Sequence, residues 1–219
     1  MSQPSVDQGF RPPQQARSRE SLQKVLAAAE HVLAAQGIEE FTVGAVAEQA
    51  GMSVGTIYRR FSGKNQLLYA VKDQLLGQLE TGVGDALRTA APGLGGIVGA
   101  FVQALADTFA RHDRIFPELL DSQRPEGRDR GLQALATIQR DFVDAVRPCL
   151  LEVRRPDREE AVHMTARTVI GSCVHRAASG RFWPDGLSWD AWAVETTGMA
   201  LAYLAYLGSP GSRECFGSF

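Results

Sequence analysis

The stretch 42–68 constrains the fold more than any other part of this 219-residue chain. It reads as two short helices at an angle, followed by the start of a third. Thr42 is a helix N-cap candidate, and Val43, Val46, Ala47 and Ala50 give one apolar face at helical spacing. Gly51 stops this helix and supplies the backbone freedom of a tight turn. Ser53 then caps a second helix, whose inward face is Ile57 and Phe61, four residues apart. The outward face is Val54, Gly55, Thr56, Tyr58, Arg59 and Arg60.

That outward face is unusual for a surface helix, which normally mixes charges of both signs. No acid occurs from Val54 to Asn65, whereas Arg59, Arg60 and Lys64 are present with Tyr58. The start of a helix offers free N–H groups and partial positive charge to an anion. Small residues at Ser53, Gly55 and Thr56 admit a phosphate or a groove wall. Helix, glycine-containing turn, helix is the helix-turn-helix arrangement, whose second helix enters the DNA major groove. In that geometry Thr42 and Ser53 direct hydroxyls and first-turn N–H groups at phosphates. Val54, Thr56 and Arg59 are placed for base edges, with Arg suited to guanine and the Val or Thr methyl to thymine. Arg60 suits either task. At Gly55 a side chain would hold the helix away from the groove.

The run Thr42…Val46-Ala47-x-x-Ala50-Gly51-Met52-Ser53-x-Gly55-Thr56-Ile57-Tyr58-x-x-Phe61-x-x-Lys64-x-x-Leu67 resembles the TetR family of bacterial transcriptional regulators. Many positions match in order and spacing. The resemblance implies an all-helical homodimer that represses transcription until a small molecule binds. It also implies that Tyr58 and Lys64 hold backbone phosphates, and that the last two long helices pair with their symmetry mates in a four-helix bundle. The chain departs from the family pattern in places. Arg60 stands where His or another aromatic is common. Asn65 replaces a common acid, so Ser62 lacks the usual Glu of a capping box. Gly44 weakens its helix by ~1 kcal/mol relative to Ala.

Charge distribution supports a polyanion partner only at the N-terminal end. Net charge is −2, but residues 11–72 hold eight basic residues against five acidic ones, and the remainder of the chain is acidic in balance. The cysteines, Cys149, Cys173 and Cys215, are far apart and odd in number, which argues against a disulfide framework or a zinc site. No cofactor or metal is expected. A reducing cytoplasm fits, since the first residues lack the apolar core of a signal peptide. Stretches 94–110 and 198–207 fall short of the ~20 apolar residues of a membrane span. No Ser/His/Asp order, glycine-rich phosphate loop or paired metal ligands can be made out, so catalysis is not expected.

Every periodic segment has a period near 3.6, so the expected class is all-α. The expected organisation is a disordered arm over 1–16 and a helix-turn-helix domain over 17–63; Arg11, Arg17 and Arg19 are candidates to touch a phosphate or the minor groove, the alternative being a solvated tail. A connecting helix 4 follows over 64–90, then an effector-binding and dimerisation domain over 91–208 and a loose tail over 209–219. Within this plan helix 1 spans about 17–36 and ends at Gly37. A short helix covers 115–121, a charged loop 122–131, and a further helix about 132–146, with Pro148 ending or kinking it. Two long helices follow at about 158–179 and 189–207, with Asp157 and Ser188 as caps. In the last, Trp189, Trp192, Thr196, Met199, Tyr203 and Tyr206 form a seam at alternating three- and four-residue spacing.

An effector pocket among these helices would be mostly apolar with few polar anchors. Its candidates are Phe101, Phe109, Phe116, Phe142 and Met164, with Gln103 and Arg167 as anchors. Thr168, Ser172, Trp192, Met199 and Tyr203 are the candidates for the homodimer interface. The expected function is a repressor that binds a palindromic double-stranded DNA operator and is released by a small apolar or aromatic effector. The alternative is a constitutive DNA-binding activator or architectural protein without effector.

Overall fold

In a computed structural model the described residues are 14–119, 128–180 and 182–207. The arm and the tail lie almost wholly outside them. The helices are α1 (Gln14–Glu40), α2 (Val43–Ala50), α3 (Val54–Tyr58), α4 (Lys64–Arg88), α5 (Leu94–Arg111), α6 (Phe116–Leu119), α7 (Arg128–Val146), α8 (Arg158–Ser179) and α9 (Trp189–Ala205), with a 3-10 segment at Arg147–Glu152. Among the described residues there is no strand. The chain divides into two compact units, one ending at Val71 and the other beginning at Lys72, so the division falls inside α4.

In the N-terminal unit, α1 packs on α2 and α2 on α3. Val25, Leu26, Ala29, Val32 and Leu33 of α1 are buried, as their spacing predicts. Helical pairing resumes for a few residues past Gly37, but the helix is broken there. Gly37 has φ 76° and ψ 178°, a conformation that side chains with a Cβ avoid. Val43, Val46, Ala47 and Ala50 bury one face of α2, and Ile57 is the buried residue of α3. Phe61, Leu67, Leu68 and Val71 add to this core.

The C-terminal unit is built around α5, which packs on α9, α8 and α7. Phe101, Val102 and Leu105 of α5, Ile138 and Phe142 of α7, Val169 of α8 and Leu204 of α9 are buried together with Leu75 and Leu79 of α4. One expectation is corrected here and one is met in position only. The helix expected from 132 begins at Arg128, so the end of the expected charged loop is helical. Its reason is long-range: Arg130 donates to Asp73 Oδ1 at 2.6 Å and to both Glu80 carboxylate oxygens at 3.0 and 2.7 Å. Asp157 sits at the N-cap of α8 without a side-chain capping bond. Ser188 does cap α9, accepting from Ala191 N at 3.1 Å. As Pro148 requires, α7 ends at Val146 and gives way to the tighter 3-10 segment.

Candidate nucleic-acid interface

Two hydroxyl caps and one glycine shape the α2–α3 turn. Thr42 Oγ1 accepts from Ala45 N at 3.0 Å. Gly51, in the left-handed region at φ 61° and ψ 40°, ends α2, and its N–H is taken up by carbonyls of that helix. Ser53 Oγ accepts from Thr56 N at 3.2 Å, opening α3. This second helix is only five residues long, shorter than the sequence spacing predicts. The chain turns on after Tyr58, with Arg60 N and Phe61 N both donating to the Ile57 carbonyl.

Val54, Gly55, Tyr58, Arg59 and Arg60 are exposed around the buried Ile57, and Thr56 is half-buried. The side-chain polar groups of Thr56, Arg59 and Arg60 are already linked to one another or to the body of the unit. Ser53 Oγ and Thr56 Oγ1 are 2.8 Å apart, and Arg59 Nη2 donates to Thr56 Oγ1 at 3.1 Å. Arg60 Nη2 donates to Ser18 Oγ and Ser18 O. Lys64 Nζ donates to the Ile38 carbonyl at 2.7 Å and to that of Glu39 at 3.4 Å, so its ammonium satisfies the end of the chain segment leaving Gly37. The Glu absent at Asn65 is replaced by a neighbour: Gln66 Oε1 accepts from Ser62 N. The signal for this was present in the sequence, since Gln serves as well as Glu in such a reciprocal cap. A Cβ at Gly55 would have Ser53 Oγ at 3.9 Å as its nearest neighbour in the fold, so the protein itself leaves room for one.

The residues expected in the C-terminal unit sort into two groups that cut across the expected sets. Phe101 and Phe142 are buried with ring centroids 4.3 Å apart, and Phe109 stacks on Phe116 at 4.2 Å. Trp192 joins this interior: it is 6% exposed and lies edge-on to Trp189. Met164, by contrast, is 46% exposed and lines an apolar groove of ≈ 280 Å³ with Thr168, Ser172, Met199 and Tyr203. The structure thus gathers four of the five interface candidates on one face of α8 and α9 and exchanges Trp192 for Met164. Arg167 is exposed on α8. Gln103 is half-buried and donates to Asp107 Oδ1 at 2.8 Å and Asp190 Oδ1 at 3.2 Å.

Among the described residues no three His, Cys, Asp or Glu side chains gather as metal ligands, and no helix is long and apolar enough to cross a membrane. Burial holds the Cys173 thiol far above its ordinary pKa, as an inert core sulfur. His112 is held below the ordinary imidazole range, first by burial and then by the charge of Arg111.

Residues 25–71 match the model of the bacterial regulatory proteins of the tetR family. The chain is 38% identical over 56 residues to the uncharacterized HTH-type transcriptional regulator TtgW of Pseudomonas putida, and likewise 38% identical over 56 residues to the HTH-type transcriptional regulator SrpR of the same species. The matched stretch is 26% of this chain and spans only 42% and 26% of those relatives. The fold extends the likeness over both units. A transcriptional regulator of the TetR/AcrR family from Thermobifida fusca YX-ER1 superposes with a TM-score of 0.65 at 16% identity, covering 84% of this chain and 97% of that one. Capped helices, glycine turn and matched segment agree that residues 25–71 form an N-terminal domain of the tetR type, and the all-helical fold of the described residues resembles that of solved TetR-type regulators.

Proposed function

We propose that this regulator is a cytoplasmic repressor that binds a palindromic double-stranded DNA operator as a homodimer and is released by a small apolar or aromatic effector. The observation that carries the DNA reading is the outer face of the helix-turn-helix. Val54, Tyr58, Arg59 and Arg60 stand exposed around a buried Ile57, with no acid among them. On this reading Thr42, Ser53, Tyr58 and the remaining donor of Lys64 engage phosphates, and Val54, Thr56 and Arg59 engage base edges.

The dimer reading is supported by the face of α8 and α9. Val194 and Met199 are two-thirds exposed, and with Met164 and Tyr203 they leave apolar surface for a second copy. A two-fold dimer presents two reading heads to two half-sites. The effector would bind in the C-terminal unit, among the aromatic rings of α5, α6 and α7. It acts by favouring the state of the dimer that misfits the operator, with α4 as lever. A 100-fold loss of DNA affinity requires a preference of ~2.7 kcal/mol for that state.

The test is fluorescence anisotropy with DNA flanking the coding region, against scrambled DNA, over a salt series. Saturable binding at two chains per site, tighter than to scrambled DNA, is the expected result. Equal weak binding to both, with a steep salt slope, would leave only phosphate contact and overturn the operator reading. In the same assay Arg59→Ala should cost ~1–3 kcal/mol at one base position, whereas Tyr58→Phe should weaken binding on all sequences alike.

A further inference from the structure

Arg60 belongs to the exposed turn after α3, yet its guanidinium is directed back at the protein. Nη2 donates to Ser18 Oγ at 2.8 Å and to the Ser18 carbonyl at 3.0 Å. Ser18 lies in the first turns of α1, forty-two positions away in sequence. Those turns need an anchor. Helix starts leave their first amides unpaired and fray, and packing does not hold this one. No side chain from Arg17 to Lys24 is buried, and the apolar stripe of α1 begins only at Val25.

We infer that Arg60 is a positioning residue: by holding Ser18 it fixes exposed Arg17 and Arg19 beside the recognition turn, and these two supply the phosphate contacts. The inference rests on the DNA-binding function proposed above. Its physical basis is an asymmetry between charge and hydrogen bonding. Ser18 takes up one nitrogen of Arg60, Nη2, but does not neutralise its charge. Arg17 and Arg19 flank Ser18 in the chain and are exposed, and Glu20 is the acid that follows them. Two exposed arginines thus flank the serine that Arg60 holds, with one carboxylate next in sequence. That local excess of positive charge suits a polyanion. The bulk of a guanidinium at position 60 thus serves the reach of α1 rather than the reading of a base.

Two measurements test this. The first needs no DNA: limited trypsin cleavage after Arg17 and Arg19 in the full chain. Arg60→Ala should accelerate cleavage about three- to tenfold, the loss of one or two hydrogen bonds at a helix end. Arg59→Ala, whose guanidinium bonds to Thr56 and not to α1, should leave it unchanged. The second is a cycle of duplex-DNA affinities over a salt series, combining Arg60→Ala with Arg17→Ala/Arg19→Ala. Positioning predicts that Arg60→Ala lowers the slope by more than the ~0.9 of one phosphate contact, and that it adds nothing once Arg17 and Arg19 are gone. Unchanged cleavage in Arg60→Ala would overturn the inference, and so would a full, additive slope loss in the double background. If the wild-type chain bound no duplex at all, the DNA function would fall, and with it the phosphate role of Arg17 and Arg19. The cleavage rates would still decide separately whether Arg60 holds Ser18.

Discussion

Replacing Ile57 with Ala tests how the recognition turn is held. A five-residue helix has no stability of its own in water, since nucleation alone outweighs its few hydrogen bonds. It must be docked, and Ile57 is fully buried while the rest of α3 is exposed or half-buried. Truncation removes three buried carbons, worth about 0.8 kcal/mol each in transfer, or ~2.4 kcal/mol. The unfilled space adds a further ~1 kcal/mol, giving ~3–4 kcal/mol, within the roughly 2–5 found for such truncations. Val54→Ala, on the outward side, should cost under ~0.5 kcal/mol. Arg60 N and Phe61 N donate to the Ile57 carbonyl, so native-state hydrogen exchange at these two amides reads the docking directly. Ile57→Ala should speed their exchange about a hundredfold or more unless global unfolding sets a lower ceiling. All three tryptophans, Trp183, Trp189 and Trp192, lie in the C-terminal unit. Their fluorescence therefore reports that unit separately during urea unfolding. Exchange at residues 60 and 61 altered by less than about fivefold, ~1 kcal/mol, would refute the view that Ile57 docks the turn.

Three further outcomes are expected. Gly96→Ala would drive a Cβ into the Ala91 backbone carbonyl, which has no flexible end to yield; a loss of ~1–3 kcal/mol should appear in tryptophan-monitored urea unfolding, and an unshifted midpoint would contradict the close approach. Burial and Arg111 depress the pKa of His112, so the unfolded chain takes up its proton at higher pH than the folded one. The contribution is full above the unfolded value of about 6.5 and is lost as pH falls from there through the lower folded value. Because His112 Nε2 is buried without a partner among the described residues, His112→Phe should flatten stability against pH below neutrality, and an unchanged slope would exclude the residue. Gly55→Ala should keep wild-type urea unfolding yet weaken duplex binding by about tenfold, ~1.4 kcal/mol; undiminished affinity would show that no groove wall comes close there.

Local chemistry was legible in the sequence where partners lie within a turn of one another. Thr42 and Ser53 cap as their types predict, and Gly51 takes the left-handed turn that stops α2. What sequence spacing missed depends on distant partners. Residues 128–131 read as loop because the charges that draw Arg130 into α7 are Asp73 and Glu80, 57 and 50 positions away. The bonds of Arg60 to Ser18 were likewise hidden, because nothing near Arg60 in sequence points to α1. On α9 the spacing of Trp192, Thr196, Met199 and Tyr203 is helical, but such spacing is shared by adjoining stripes. Burial follows Trp192, Ala193, Thr196, Ala200 and Leu204, and turns Met199 and Tyr203 outward. Volume and polarity did not distinguish the two sides, since both carry large apolar residues.

The hydrogen-bonded run Ser53–Thr56–Arg59 has a consequence for the selectivity of recognition. In the free chain Arg59 is not a dangling cation but is parked through Nη2 on a threonine hydroxyl. On the DNA-binding reading proposed above, encounter with any duplex needs only charge and leaves this run intact. A guanine would compete with the Thr56 hydroxyl for that nitrogen, so the run sets a threshold that a base edge has to exceed. An exposed bond of this kind exchanges within nanoseconds, so the threshold is one of affinity and not of rate. Thr56→Val, which keeps the methyl and removes the acceptor, should change the ratio of operator to scrambled affinity and leave the rate of encounter as it is.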